Sequence, residues 1–238
     1  PLRNLHEPFC VLLVVATACS GTGAPSFALR ELVGARNEII SSESHAATRG
    51  WFMKNHDVQH CFSHMASART GGYCDKHKAI CPAVTEESID LFVCGFTCKL
   101  FSQESNARFK HAAVPEMFAP NGQVVPKAIP FVEASRFINK FRPATAVLEN
   151  VTGCLKKVHA QIPDDAVYKT PLDYILNGVL RIDGKDEPIG FNGIQGYKTE
   201  RFTLYGFQTL VSHRHVRDYI LCFCEKMFCH EHPKLTLH

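Results

Sequence analysis

Val11-Leu12-Leu13-Val14-Val15-Ala16-Thr17-Ala18-Cys19-Ser20-Gly21-Thr22-Gly23-Ala24-Pro25 is the stretch whose reading decides the fold. Val11 to Thr17 is rich in β-branched residues and reads as a buried strand, Gly21-Thr22-Gly23 as a turn, and Pro25 to Val33 as a helix with proline in its first turn. The apolar run Phe9 to Ala16, with Ala18-Cys19-Ser20 behind it, also has the composition of a signal-peptide core. It is too short for a membrane span, and the glycines that follow favour the strand.

Working outward, Glu38 to Ser42 reads as a second strand ending in Glu43, His45 to Asn55 as a helix, and Gly71-Gly72 as the start of a loop. Ile89 to Val93 is a third strand, and Gln103 to about Lys127 a polar, proline-bearing segment without periodicity, long enough to be a lid. Apolar residues at helical spacing from Pro130 to Phe141 predict a helix, followed by a strand from Thr145 to Leu148 that ends in Glu149. Leu172 to Leu180 reads as a helix, Arg181 to Tyr197 as a glycine-rich loop, and Asp218 to Cys224 as a last buried strand. Alternating strands and helices predict an α/β fold with a doubly wound, mostly parallel sheet.

The chain has 238 residues, 45% of them hydrophobic, which is enough to bury one sizeable core. One domain over 1–238 is the expectation. Its parts are a nucleotide-binding half over about 9–100, a catalytic loop over about 103–127, a following region over 130–224 and a tail over 225–238. A net charge of +3 permits a nucleic-acid partner without announcing one. Eleven irregularly spaced cysteines fit a reducing, intracellular compartment better than a disulfide scaffold.

Gly21-x-Gly23 with Glu43 about twenty positions on has the spacing of a nucleoside-binding unit whose acidic residue holds ribose hydroxyls. Ser26 stands where a dinucleotide fold places its third glycine, so a nucleoside ligand without a pyrophosphate, such as S-adenosyl-L-methionine, fits better. Asp90-Leu91-Phe92-Val93-Cys94-Gly95-Phe96-Thr97-Cys98-Lys99-Leu100-Phe101-Ser102 then runs from a strand into a glycine turn that displays a thiol, and Leu148-Glu149-Asn150-Val151 supplies a carboxyl farther on.

In order and spacing these segments resemble the C5-cytosine DNA methyltransferase family. Ser20, Gly21, Thr22, Gly23, Glu43 and Gly95 align with its cofactor site, Cys98 with its nucleophile, and Glu149-Asn150-Val151 with its ENV motif. Ser212-His213-Arg214-His215-Val216-Arg217 resembles its QxRxR motif, with Arg217 in the second arginine position. The resemblance implies a Rossmann-like methyltransferase that uses S-adenosyl-L-methionine, with Cys98, Glu149 and Arg217 catalytic. It further implies Ser102, Arg108, Asn150 and Val151 as substrate contacts, a flipped cytosine in DNA as substrate, and a nuclear location. The chain departs from the family at Thr97 and Lys99, where proline and glutamine are usual, and at Thr17 and Cys19, where aspartate and an aromatic are usual. It also ends where the family places a target-recognition region and two further motifs. A non-catalytic relative, an RNA cytosine methyltransferase and a zinc-binding interaction module are the alternatives.

Cys74-x-x-His77-x-x-x-Cys81, with His56, His60, Cys61 and His64 upstream, can be drawn as a zinc site, but the spacing matches no tight pattern. These residues, and Cys222, Cys224, Cys229, His230 and His232 near the end, read as loop and strand residues, so no metal is expected. Trp51 and Phe52 read as helix packing, and Lys156 and Lys157 as a solvated pair.

Overall fold

The computed structural model describes residues 12–34, 36–85, 89–97, 99–100, 113–158, 165–182, 185–205 and 216–224. The chain opens with β1 (Leu13–Ala18), α1 (Ala24–Val33), β2 (Arg36–Ser42) and α2 (Ala46–Asn55). Short elements follow: β3 (His60–Phe62), α3 (Ala66–Thr70), β4 (Gly72–Cys74) and β5 (Ala79–Cys81). Next come β6 (Leu91–Cys94), α4 (Val114–Phe118), α5 (Ile129–Phe141) and β7 (Thr145–Val151). The last part holds α6 (Pro171–Asn177), β8 (Val179–Ile182), β9 (Lys185–Pro188), β10 (Tyr197–Tyr205) and β11 (Val216–Cys224).

Among the described residues, nine strands form one sheet in the order β10-β11-β7-β6-β1-β2-β3-β4-β5. The centre, from β7 across β6, β1 and β2 to β3, is parallel. Both edges are antiparallel, through β4 and β5 on one side and β11 and β10 on the other. The chain leaves β1 toward β2 and later returns to β1's other side with β6, so the strand order reverses between β1 and β6. The crevice beyond the carboxyl ends of those strands is where such sheets bind ligands.

Two faces are covered differently. α5 is amphipathic and buries Phe131, Ala134, Phe137, Ile138 and Phe141, with Phe137 stacked on Phe92 of β6 at 4.3 Å between ring centres. On the other face α1 leans on β1 and β2. Beyond α1's reach β6, β7 and β11 alternate buried and half-buried residues rather than being buried on both sides.

Several expectations are corrected. The loop expected from Gly71 holds β4 and β5, and the segment from Gln103 to Lys127 contains α4, whose Val114, Met117 and Phe118 are buried. The stretch Arg181 to Tyr197, expected as loop, forms the β8–β9 hairpin and the start of β10. The strand expected to stop at Leu148 continues through Glu149 and Asn150 to Val151, because β11 pairs with it along that whole length. The Leu172–Leu180 helix instead ends at Asn177, where Gly178 turns the chain into β8.

An ionic chain fastens α5 to the small hairpin. Glu133 accepts from Arg69 and Arg136, and Arg136 also grips both carboxylate oxygens of Glu187, at 2.7 and 2.6 Å. The Arg136 guanidinium holds the Glu187 carboxyl below its ordinary 4.5. A carboxyl depressed on folding stabilises above its unfolded pKa and loses that contribution as pH falls through the folded value. Arg136→Ala, which leaves the mostly buried Glu133 short of one partner, is expected to lower unfolding free energy by about 1–2 kcal/mol at pH 7. The gap between wild type and variant in urea melts should shrink below pH 4.5.

Candidate active site

The turn after β1 is built from backbone conformations that its residues dictate. Cys19, Gly21 and Gly23 all take positive φ, of 50°, 54° and 82°. Gly23 caps α1, and a Cβ there would overlap the His56 imidazole, whose Nε2 lies 3.3 Å from the Thr22 carbonyl oxygen. A Cβ at Gly21 would meet nothing within 4 Å. Gly23→Ala is therefore expected to lower the melting temperature by more than Gly21→Ala, which carries the strain of positive φ without the overlap. Thermal melts of the two variants check this.

Below the turn lies a buried polar cluster. Glu38 Oε1 accepts from the Thr17 and Ser26 hydroxyls at 2.8 and 3.0 Å, and Ser20 Oγ bonds with the Thr17 and Ser41 hydroxyls. Burial raises the Glu38 pKa above its ordinary value. Ser20, expected as a cofactor contact, spends its side chain inside this cluster and its N–H on the Ser42 carbonyl, so it shapes the turn.

Glu43, just past β2, faces the crevice. Its Oε2 accepts the Gly21 N–H at 2.9 Å and Oε1 the His45 N–H at 2.8 Å. A carboxylate has about four lone-pair sites, so two remain for a ligand's hydroxyls. Glu43, Cys19, Ser63, His64 and Met65 line a cleft. A second cleft shares Cys19 and runs from Ser20, Gly21 and Thr22 past Gly95 to Glu149 and Tyr219. Thr22 at the turn, the two remaining lone-pair sites of Glu43 and the adjoining hollow suit a nucleoside with free ribose hydroxyls, the kind of ligand S-adenosylmethionine is.

Across the switch point the structure brings Glu149, Arg217 and Gly95 together. Arg217 Nε donates to Glu149 Oε1 at 2.7 Å, although Arg217 sits on β11 opposite Val151. Burial raises the Glu149 pKa above its ordinary value, and Arg217 partly opposes that. A Cβ placed on Gly95 would lie 3.2 Å from Glu149 Oε2, so the glycine is what lets the chain after β6 pass the carboxyl closely. Asn150, expected to touch substrate, is buried instead. Its amide nitrogen donates to the Phe96 carbonyl at 2.9 Å and its oxygen accepts the Val151 N–H, tying β7 to the segment after β6. Val151 is half-buried and packs against the core. Thr97, where proline is usual, accepts a long hydrogen bond from the Lys99 N–H at 3.4 Å, closing a side-chain turn of the kind hydroxyl residues make. Cys98, Ser102, Arg108, His213 and His215 lie outside the described residues.

Sequence reasoning missed the packing of His56 on the glycine turn and the buried acid Glu38. Both depend on side-chain direction across elements distant in sequence. It drew Cys74, His77 and Cys81, with His60 upstream, as a zinc site but set it aside for its loose spacing, and the ligand atoms of these four all lie within 4.8 Å of one another. Three of these stand in β3, β4 and β5 rather than in the expected loop.

No known sequence family and no curated protein matches the chain. Solved structures do. A putative DNA modification methyltransferase encoded within an Escherichia coli prophage matches with a TM-score of 0.53 at 15% identity, over 91% of this chain and 48% of that one. The Entamoeba histolytica methyltransferase EhMeth matches with a TM-score of 0.52 at 12% identity, over 90% and 53%. The S. pombe Dnmt2 methyltransferase matches with a TM-score of 0.47 at 14% identity, over 90% and 49%. Sheet order and the likenesses to the prophage enzyme and EhMeth define the fold as the Rossmann-like fold of methyltransferases. The chain spans about half the length of each of these structures.

Proposed function

We propose that this chain is the catalytic core of a C5-cytosine methyltransferase, acting on DNA with S-adenosyl-L-methionine as methyl donor. The observation that carries the proposal is the seating of Glu149, held by Arg217, against Gly95, three residues before Cys98 and across the switch point from the Glu43 cradle. Glycine turn, the Glu43 carboxylate and the second acid thus line adjoining parts of one crevice, and the sequence puts Cys98 three residues beyond Gly95, in the order the family resemblance requires.

Cytosine C5 is a weak nucleophile, so the ring needs activation before it accepts a methyl group. The Cys98 thiolate adds to C6, placing electron density on the ring, while Glu149 donates a proton or hydrogen bond to N3 as negative charge builds there. The cofactor supplies an electrophilic methyl group on sulfonium sulfur. Loss of the C5 proton and departure of the thiolate from C6 then restore the aromatic ring and the free enzyme. Thr22 and Glu43, whose carboxylate is set by the Gly21 N–H, hold the nucleoside end of the cofactor. Arg217 and Asn150 position Glu149 and the segment after β6. Ser102 and Arg108 contact phosphate, and the base is flipped from the duplex to reach the thiol.

The test is transfer of labelled methyl groups from S-adenosylmethionine by the full-length protein. Incorporation into duplex DNA at cytosine C5 supports the proposal. Incorporation into tRNA alone moves the substrate to RNA, and saturable cofactor binding without transfer to either leaves a binding protein. Among the described residues no helix is long and apolar enough to cross a membrane.

A further inference from the structure

We propose that His60, Cys74, His77 and Cys81 form a structural zinc site that pins the β3–β4–β5 edge of the sheet beside the cofactor cleft. One ligand atom from each of the four residues lies within 4.8 Å of all the others. Zinc–sulfur and zinc–nitrogen bonds of about 2.3 and 2.0 Å give tetrahedral edges of about 3.3–3.8 Å. A contraction of roughly an ångström therefore closes the cluster on a cation. Two thiolates and two imidazoles are the Cys₂His₂ donor set of structural zinc, and the two thiolate charges neutralise Zn²⁺.

The local fold explains how a loose sequence spacing becomes a tight cluster. In the β4–β5 hairpin Gly72 pairs with Cys81 and Cys74 with Ala79, so Cys74 and Cys81 sit diagonally on one face, and both are buried. Tyr73 and Ile80 alternate onto the opposite, exposed face. Phe62 pairs with Cys74, which carries His60, two residues earlier in β3, to the same face. His77 stands in the four-residue turn of the hairpin and folds back, with Nδ1 3.1 Å from Cys81 Sγ and its ring edge-on to His60 at 4.9 Å between centres. Cys74 Sγ also lies 3.4 Å from the Cys61 N–H, an outer contact of the kind that orients a thiolate ligand.

The edge needs such a fastening. β4 and β5 have three residues each, β4 is joined to β3 through the single pair Phe62–Cys74, and large side chains on one face are left to solvent. A hairpin that small is marginal alone in water. A cation bound through two thiolates ties three strands and a turn at one point, and its binding free energy becomes folding free energy for this edge.

The cluster also bears on the cofactor. Asp75, next to Cys74 in the hairpin turn, pairs with Arg49 at 2.7 Å, and Arg49 Nη1 donates to the carbonyl oxygens of Glu43 and Ser44. Glu43 in turn holds Gly21. Ser63, His64 and Met65, which directly follow β3, form the neighbouring wall of the cleft. The metal therefore acts on cofactor affinity through position rather than by contact.

Elemental analysis of the purified chain, expressed with zinc and dialysed against zinc-free buffer, is expected to give about one zinc per chain. Cys74→Ser and Cys81→Ser should lose it, whereas Cys229→Ser, in the second cysteine- and histidine-bearing segment, should keep it. Should either core variant fail to fold, cobalt replacement in the wild-type chain gives an independent reading. Thiolate-to-cobalt charge transfer with tetrahedral visible bands is expected, and His77→Ala, at an exposed position, should alter them. Folded wild-type protein that takes up neither zinc nor cobalt overturns the proposal. So does zinc retained in Cys74→Ser but lost in Cys229→Ser, or a Cys74–Cys81 disulfide in protein purified without reductant.

Discussion

Glu149→Gln is expected to lower methyl transfer about 10²- to 10⁴-fold, the range by which a positioned acid commonly contributes, while leaving folding and cofactor binding near wild type. The substitution keeps the shape of the side chain and its place beside Gly95, and removes the proton that, in the proposed mechanism, N3 receives as the ring takes up the thiolate. Arg217 then donates to an amide oxygen instead of a carboxylate. The split between rate and binding is the informative part. Because Glu149 lies across the switch point from Glu43 and Gly21, the variant should bind S-adenosylmethionine about as tightly as wild type and fail in turnover. The pH profile carries a second signature. Burial raises the Glu149 pKa, so the protonated form persists above the ordinary glutamate range, and activity limited by this acid should fall on the alkaline side as it ionises. That limb should be absent from the residual activity of Glu149→Gln. Single-turnover rates against pH, with cofactor affinity measured separately, test both points.

The centre of the fold was legible because its strands announce themselves. Leu13 to Ala16, Leu91 to Cys94 and Ile220 to Cys224 are continuous apolar runs, and α5 repeats its phenylalanines at helical spacing. The edges were not. β3, β4 and β5 have three residues each, too short for any period to show. β10 reads Tyr-Lys-Thr-Glu-Arg-Phe-Thr-Leu-Tyr, and its strand character comes from nine pairings with β11 rather than from its own composition. Within the site, Glu43 and Glu149 were found by position after a strand. The inward direction of Asn150 was not read, although β7 continues past Leu148 and a period of two from that buried residue carries Asn150 inward with it. The Glu149–Arg217 pair was beyond local reading because it depends on the register of β11 against β7. The cluster of His60, Cys74, His77 and Cys81 likewise depends on hairpin pairing, which turns an irregular spacing into a shared face.

Cys98→Ser is expected to abolish methyl transfer, because a serine hydroxyl at neutral pH is a far weaker nucleophile than a thiol that ionises near 8.5. The thiol follows directly from the segment that Asn150 anchors through the Phe96 carbonyl. The closeness of Gly95 to Glu149 places the start of that segment at the acid. If Cys98 adds to C6, a cytosine carrying fluorine at C5 must trap it, since fluorine cannot leave as a proton does and the ring stays bound to sulfur after methylation. The most direct measurement is therefore denaturing electrophoresis and mass spectrometry of the full-length protein after incubation with 5-fluorocytosine duplex DNA and S-adenosylmethionine. The expected result is a cofactor-dependent covalent complex, mapped to Cys98 and missing in Cys98→Ser. A folded, cofactor-binding protein that methylates cytosine without this adduct, or an adduct that survives Cys98→Ser, would contradict the role given to this thiol.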